Sequence, residues 1–290
     1  MRTLAEKNKY RFKGHESFIL REGWLNKGLT EVKSNPKVFT EFYGADALGV
    51  GPNMAKSIRY WLKTAGLTKD DKSIGGVCLT PLGELVYEKD PYIEDIFTLW
   101  LLHCQIVLQK ENATAWDLFF NHFSYEEFRK SELMGEMKDL AIDVAEGGNL
   151  SEKSVEADCD AILHMYLPKQ ERNVNPEEKN VSPFAKLGLI KNSGETIMKK
   201  QPDLKIVPED VVLYLLVCLA EKNKSIGIDE LLVMSGGPGK VLHLKRTALM
   251  EKLEALERRG AIVMNRTAGL NMVYLPKELS ALDVVKYYYR

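Results

Sequence analysis

At 290 residues, with 45% apolar and 28% charged side chains, the chain has the length for two or three compact units and the composition to bury a core. Its formal net charge of -1 excludes a uniformly basic nucleic-acid binder, so an electrostatic footprint has to come from segregation of charge along the chain. The N-terminus lacks the apolar core of a signal peptide, and no apolar run nears the ~20 residues that cross a bilayer; a cytoplasmic protein without membrane contact is expected. Cys78, Cys104, Cys159 and Cys218 are dispersed without paired spacing, the pattern of reduced thiols rather than of a disulfide framework or zinc site.

In chain order, Phe18, Trp24 and Leu25 recur at helical spacing after Gly14, and a helix is expected around Pro36 to Tyr43. A short helix then ends near Gly49, and Val50-Gly51-Pro52 makes a tight turn. A second helix runs from about Asn53, read as its N-cap, to Ala65, with Gly66 as the stop. After a charged turn at Lys69 to Lys72, Val77 to Thr80 reads as a strand and Leu82 to Glu88 as a helix. That is the order of a winged helix.

The middle is helical in pattern over Ile93 to Leu102, Ala115 to Phe123, Phe128 to Ala145 and Ser151 to Tyr166. The stretch Pro168 to Pro183 is polar, punctuated by proline and without period, hence an exposed connection. Beyond it, Val211 to Leu219 is an apolar helix, Lys222 to Ser225 a polar loop, Ile228 to Leu232 a short helix and Ser235 to Gly239 a turn. A long helix from about Lys240 to Arg259 and a hairpin over Ala261 to Leu275, turning near Ala268-Gly269, complete a second winged helix. The expected fold is mainly α: two winged-helix modules at 1–90 and 205–290, a helical middle at 91–167 and a connecting segment at 168–204.

Charge follows this layout. Lys56, Arg59 and Lys63 share one stripe of the Asn53 helix, opposite Ala55, Ile58, Leu62 and Ala65. From Lys240 to Arg266 there are seven Lys or Arg against three Glu, with Lys240, His243, Lys245, Arg246 and Thr247 near the start of the long helix and Arg266 on the wing. From Glu126 to Asp160 there are eleven acids against four bases. A basic-acidic-basic order therefore underlies the neutral total. It marks Asn53, Lys56, Arg59, Tyr60 and Lys63, and the C-terminal set above, as candidate contacts to double-stranded DNA. The acidic middle is assigned to solvent or a protein partner and is expected to hold the two ends apart. A solvated helix face is the competing interpretation of each basic stripe.

No catalytic constellation assembles. Gly236-Gly-Pro-Gly-Lys240 misses the phosphate-loop pattern at both ends, with Met234 and Val241 where glycine and Ser or Thr are required. His15-Glu16 lacks a second histidine four residues on, where Ile19 stands, and the other histidines are isolated; His103 and His164 are expected as satisfied core groups. No metal, cofactor or enzymatic activity is expected. The segment around Lys13, His15, Glu16 and Arg21 reads either as a buried hydrogen-bond set anchoring the N-terminus or as an edge that binds phosphate or a partner.

Phe12-Lys-Gly-His-Glu-Ser-Phe18, Arg21-Glu-Gly-Trp-Leu-Asn-Lys27, Phe42-Tyr-Gly-Ala-Asp-Ala-Leu-Gly-Val-Gly-Pro-Asn-Met54 and Arg59-Tyr-Trp-Leu62 together resemble a bacterial and archaeal family known as domain of unknown function 4007. Its members stand beside a phosphoadenosine-phosphosulfate-reductase-like protein in loci of DNA phosphorothioation and phage defence. The resemblance spans nearly the whole chain and transfers no catalytic residue. It implies a non-catalytic DNA-binding subunit of a sulfur-based modification or restriction system, partnered by DNA and by such a reductase-like enzyme. A stand-alone transcriptional regulator and a protein-interaction scaffold are the alternatives.

Overall fold

Glycine and proline set the N-terminal elements by interrupting the apolar pattern. The computed structural model describes residues 9–146, 148–168, 181–220, 225–266, 271–276 and 278–290. Helix α1 (Trp24–Ser34) starts after Gly23, whose φ of 78° turns the chain left-handed, and buries Trp24, Leu25, Gly28, Leu29 and Val32. Its buried stripe lies on α3, and a Cβ at Gly28 would come within 2.6 Å of the Leu62 side chain. Helix α2 (Ala45–Leu48) ends at Gly49, and α3 (Pro52–Thr64) begins with Pro52 in its first turn, where no N–H is needed. Gly51 is therefore the N-cap in place of the expected Asn53.

Two readings of this region change. The helix expected over 36–43 does not form: the chain makes turns over 36–40 and a 3-10 turn at Phe42–Gly44, where Phe42 and Tyr43 take positive φ. The charged turn expected at Lys69 to Lys72 is mostly strand, since Lys69 to Asp71 belong to β1 (Thr68–Asp71), paired antiparallel with β2 (Gly76–Leu79). Helix α4 (Pro81–Lys89) follows, its first turn capped by the Thr80 hydroxyl accepting from the Gly83 N–H at 3.0 Å.

Helix α5 (Ile96–Leu108) is apolar all round and almost wholly buried, the signature of a central element. Helix α6 (Thr114–Asp117) runs on into a π-helical turn at Leu118–His122. Strand β3 (Glu127–Phe128), α7 (Lys130–Ala145) and α8 (Glu152–Tyr166) come next. The segment 168–204, read as connecting, is described from 181 on. It contains a 3-10 turn at Pro183–Leu187 and a hairpin of β4 (Ile190–Ser193) and β5 (Thr196–Lys199), with Phe184, Leu187 and Leu189 fully buried. Strand β5 sits between β3 and β4. Four-residue strands give too short an alternation to stand out in the sequence.

Helix α9 (Glu209–Ala220) leads to β6 (Ser225–Gly227), α10 (Ile228–Val233) and α11 (Pro238–Val241). The single long helix expected from Lys240 to Arg259 is broken: α12 (Arg246–Arg258) begins afresh after Leu242 to Lys245, where His243 has φ 51° and Leu242 and Leu244 turn into the core. Strands β7 (Val263–Asn265) and β8 (Met272–Tyr274) close a sheet ordered β6-β8-β7, and helix α13 (Ala281–Tyr288), not anticipated from the sequence, ends the fold. The hairpin tip expected at Ala268-Gly269 and the loop over Lys222 to Lys224 lie outside the described residues.

The protein is thus mainly α-helical with small antiparallel sheets. Among the described residues no helix is long and apolar enough to cross a membrane. The ends are not held apart by the middle as expected. Helix α5 packs on α9 because it offers apolar surface in every direction, and α13 packs on both α9 and α4. His103 on α5 is fully buried, as expected. Its Nε2–H donates to the Val241 carbonyl at 2.8 Å and its Nδ1 accepts from the Tyr166 hydroxyl at 2.7 Å, which ties α5 to α11 and α8. His164, expected in the core, is exposed on α8.

Candidate nucleic-acid interface

Helix α3 buries Ala55, Ile58, Trp61 and Leu62 and leaves Asn53, Lys56, Arg59 and Lys63 on its outer side. These three cations line an open cleft of about 290 Å³ together with Arg11, Glu16, Phe39, Tyr43 and Asp70. Asp70 of β1 is the acid in contact with them: Arg59 donates to its Oδ1 at 2.8 Å and Lys63 to its Oδ2 at 2.6 Å. Those hydrogen bonds, Lys63 first, hold the Asp70 carboxyl below its usual range. The Lys56 ammonium lies 4.3 Å from the Tyr43 ring centroid. Tyr60, expected among the DNA contacts, turns inward instead: it is 5% exposed, its hydroxyl donates to the Asn112 carbonyl at 3.0 Å, and Arg11 stacks 5.0 Å over its ring.

The C-terminal set is arranged differently. Lys240, Lys245 and Arg246 line a second cleft of about 350 Å³ with Lys199, Ser124, Gln201 and Glu126, and Thr247 is exposed beside them. Arg246 is paired with Asp229, and Arg266 with Glu254 at 3.2 Å and Glu257 at 3.8 Å. His243 lines the same cleft half-buried, with both ring nitrogens shielded from solvent, and burial pushes its pKa well below the ordinary value. A neutral imidazole offers no charge to a phosphate. Past its first turn the outer side of α12 carries Glu251, Glu254 and Glu257, Lys252 is buried, and the next exposed cation on the helix is Arg258 in its last turn, so no continuous basic stripe runs along it.

Lys199, in the same cleft, was not singled out in the sequence. Its ammonium donates to the carbonyls of Phe119 (3.1 Å) and Phe123 (2.6 Å) and lies 4.9 Å from both of those rings, and burial brings its pKa down to about 7. That geometry terminates the π-helical turn rather than presenting a charge outward.

His15 is buried at 1% exposure, and its Nε2 meets Asp158 Oδ1 at 2.7 Å. Asp158 also accepts from the Lys13 backbone N–H at 3.0 Å on each oxygen. Burial raises the Asp158 pKa and the His15 hydrogen bond opposes the rise. The His15 ring stacks on Trp61 at 6.0 Å and meets Trp116 edge-on at 6.0 Å. Of the four residues read together here, only His15 joins this buried pair. Glu16 and the Lys13 side chain face solvent, and Arg21 packs over Phe18 and Trp24 at 5.6 and 5.1 Å. The partner is Asp158, 143 residues away, which no local spacing could reveal.

Arg11, Phe42, Tyr43 and Asp70 carry no local signal in the sequence, and only the fold brings them to α3. The turn expected over Ser235 to Gly239 ends at Gly237, because Pro238 opens α11; a Cβ at Gly239 would sit 2.3 Å from the Leu232 carbonyl, so glycine there serves close packing of α10 and α11. Among the described residues no group of three or more His, Cys, Asp or Glu is placed to hold a metal ion.

Two solved structures share the architecture: one described as SspB, at TM-score 0.83 and 23% identity over 98% of this chain and 89% of that one, and one described as magnesium ion-bound SspB, at TM-score 0.84 and 23% identity over 96% and 87%. No curated protein matches the chain. The model of a family described as protein of unknown function (DUF4007) matches residues 12–289, and the chain belongs to that family.

Proposed function

We propose that the protein is a DNA-binding subunit of a sulfur-based DNA modification or phage-defence system, and that α3 is its principal DNA-contacting element. The carrying observation is the cleft in which Lys56, Arg59, Lys63 and Arg11 converge on one exposed face, with Asp70 paired to Arg59 and Lys63 and Glu16 also on the wall. Phosphates are held by such cations, and their binding releases counterions. The order α1, α2, α3 and then the β1–β2 hairpin supports a winged-helix reading of the N-terminal unit. For the C-terminal unit the support is the order α9, β6, α10, α12, β7, β8 with β8 central in the sheet. The setting in modification loci rests on the family resemblance, and a reductase-like partner belongs to the same reading.

Within this proposal the two units differ. Arg246 and Arg266 are each paired with nearby carboxylates, which supports a secondary, phosphate-only role for the C-terminal face. Fluorescence anisotropy of the full chain with labelled duplex DNA at low salt tests the assignment. Lys56→Ala with Lys63→Ala is expected to weaken binding about tenfold and to lower the slope of log K against log salt by about two, while Lys245→Ala with Arg246→Ala has the smaller effect. Absence of duplex binding by the wild type removes the proposal in favour of a protein scaffold. Because a related structure holds magnesium, the same preparations are incubated with supercoiled plasmid and magnesium. Intact plasmid fits a binding subunit; open circles make the protein a nuclease.

A further inference from the structure

Phosphate binding leaves the most exposed aromatic side chains beside the α3 cleft without a role. Phe42 is 67% and Tyr43 50% exposed, and they are consecutive. Their backbone is left-handed at three successive positions, with φ of 45° at Phe42, 58° at Tyr43 and 78° at Gly44. Bulky L-residues avoid this region, and such departures persist only where the surroundings enforce them. Here the enforcement is visible. The Gly44 N–H donates to the Glu41 carbonyl at 2.7 Å, and a Cβ at Gly44 would lie 2.9 Å from the Val38 carbonyl. Val38 and Phe39 already fill the core beneath, so the turn carries the next two rings outward.

The charge around these rings states what kind of occupant fits. Tyr43 lines the same cleft as Arg11, Lys56, Arg59 and Lys63, with the Lys56 ammonium 4.3 Å from its ring centroid, and the Arg59 guanidinium lies 5.7 Å from the Phe39 ring. The occupant is an anion that also presents flat apolar faces, and a nucleic-acid strand combines both in one polymer. Paired duplex hides those faces inside its stack. Unpaired bases expose them, and stacking on aromatic side chains is the usual way proteins hold such bases.

We propose that Phe42 and Tyr43 form a stacking platform for unpaired or unstacked bases of DNA whose phosphates lie along Lys56, Arg59 and Lys63. This rests on the reading of α3 as the DNA-contacting element.

The test measures binding of the full chain, at one salt concentration, to a paired duplex and to the same duplex with a short internal bubble carrying 2-aminopurine. The wild type is expected to bind the bubble about tenfold more tightly and to change the 2-aminopurine fluorescence. Phe42→Ala with Tyr43→Ala should abolish both the preference and the fluorescence change; paired-duplex affinity should fall at most a few-fold, because Tyr43 lies against Lys56, and the salt slope should stay unchanged, because every cation remains. That retained binding also reports that the variant is folded. Phe42→Tyr with Tyr43→Phe, which keeps both rings, should retain the preference. Equal wild-type affinity for the two DNAs overturns the platform and leaves the α3 reading standing, as does a preference that survives the double alanine variant. Failure of the wild type to bind either DNA removes both.

Discussion

His15 stands in the middle of the family's N-terminal motif, and its position is decided by one partner. An imidazole and a carboxylate that are both buried need each other, because removing either strands a polar group in a dry site. Asp158 also accepts the Lys13 N–H, so the pair fastens the N-terminal segment to α8. Replacing His15 with Ala is expected to lower unfolding stability by about 3 kcal/mol in urea titrations, with His15→Gln recovering part of the loss. A change below about 0.5 kcal/mol, the scale of an exposed pair, would contradict the anchoring role. The residues flanking it, Glu16 and Arg21, do not enter this pair, so substitutions there are a separate matter of surface and ring packing.

At the scale of elements, α3 and α12 look equivalent in sequence and diverge in surroundings. Both carry cations at helical spacing. Around α3 the acids come from elsewhere in the chain, Asp70 shared by Arg59 and Lys63 and Glu16 at the cleft wall, whereas α12 supplies its own carboxylates at Glu251, Glu254 and Glu257. If Asp70 competes with phosphate for the same two side chains, Asp70→Asn should strengthen duplex binding several-fold in the anisotropy assay. Little stability should be lost, since exposed ion pairs contribute on the order of 0–1 kcal/mol. Unchanged or weaker binding would mean instead that Asp70 positions Arg59 and Lys63.

For the whole molecule, the ties between units matter more than the charge order that first suggested separate ends. His103 joins α5 to α11 and α8, and burial lowers its pKa to about 4. A histidine kept neutral in the folded state binds fewer protons than in the unfolded chain. Its contribution is therefore complete above the unfolded value near 6.5 and is lost as pH falls through about 4. Urea unfolding between pH 7 and 4.5 should show the wild type losing stability faster than His103→Gln, by an amount on the order of 2–3 kcal/mol across the window. Parallel curves would place the acid sensitivity elsewhere. Helix α13 adds a second tie: Tyr288 stacks on Phe97 at 3.9 Å, and its hydroxyl donates to Asp95 at 2.9 Å.

The positions of α2, α3, α4, α8, α9 and α10, and the start of the turn at Ser235, could be read closely from the chain. Each is bounded by local chemistry: a proline at a first turn, a glycine at a left-handed stop, an apolar stripe at helical period. The stripe of Lys56, Arg59 and Lys63 was legible for the same reason, because three residues on one helix face are a statement about spacing alone. What spacing could not give was decided by packing. Leu242 and Leu244 break the long helix by entering the core, Tyr60 turns inward, the His243 ring nitrogens are shielded, and Asp158 meets His15 across 143 residues. The left-handed turn that sets Phe42 and Tyr43 beside the cations is likewise a product of the fold, since only the filled core under Val38 and Phe39 leaves those rings outside. Helix periodicity is a local property, while burial and partnership depend on chain segments that meet only in three dimensions.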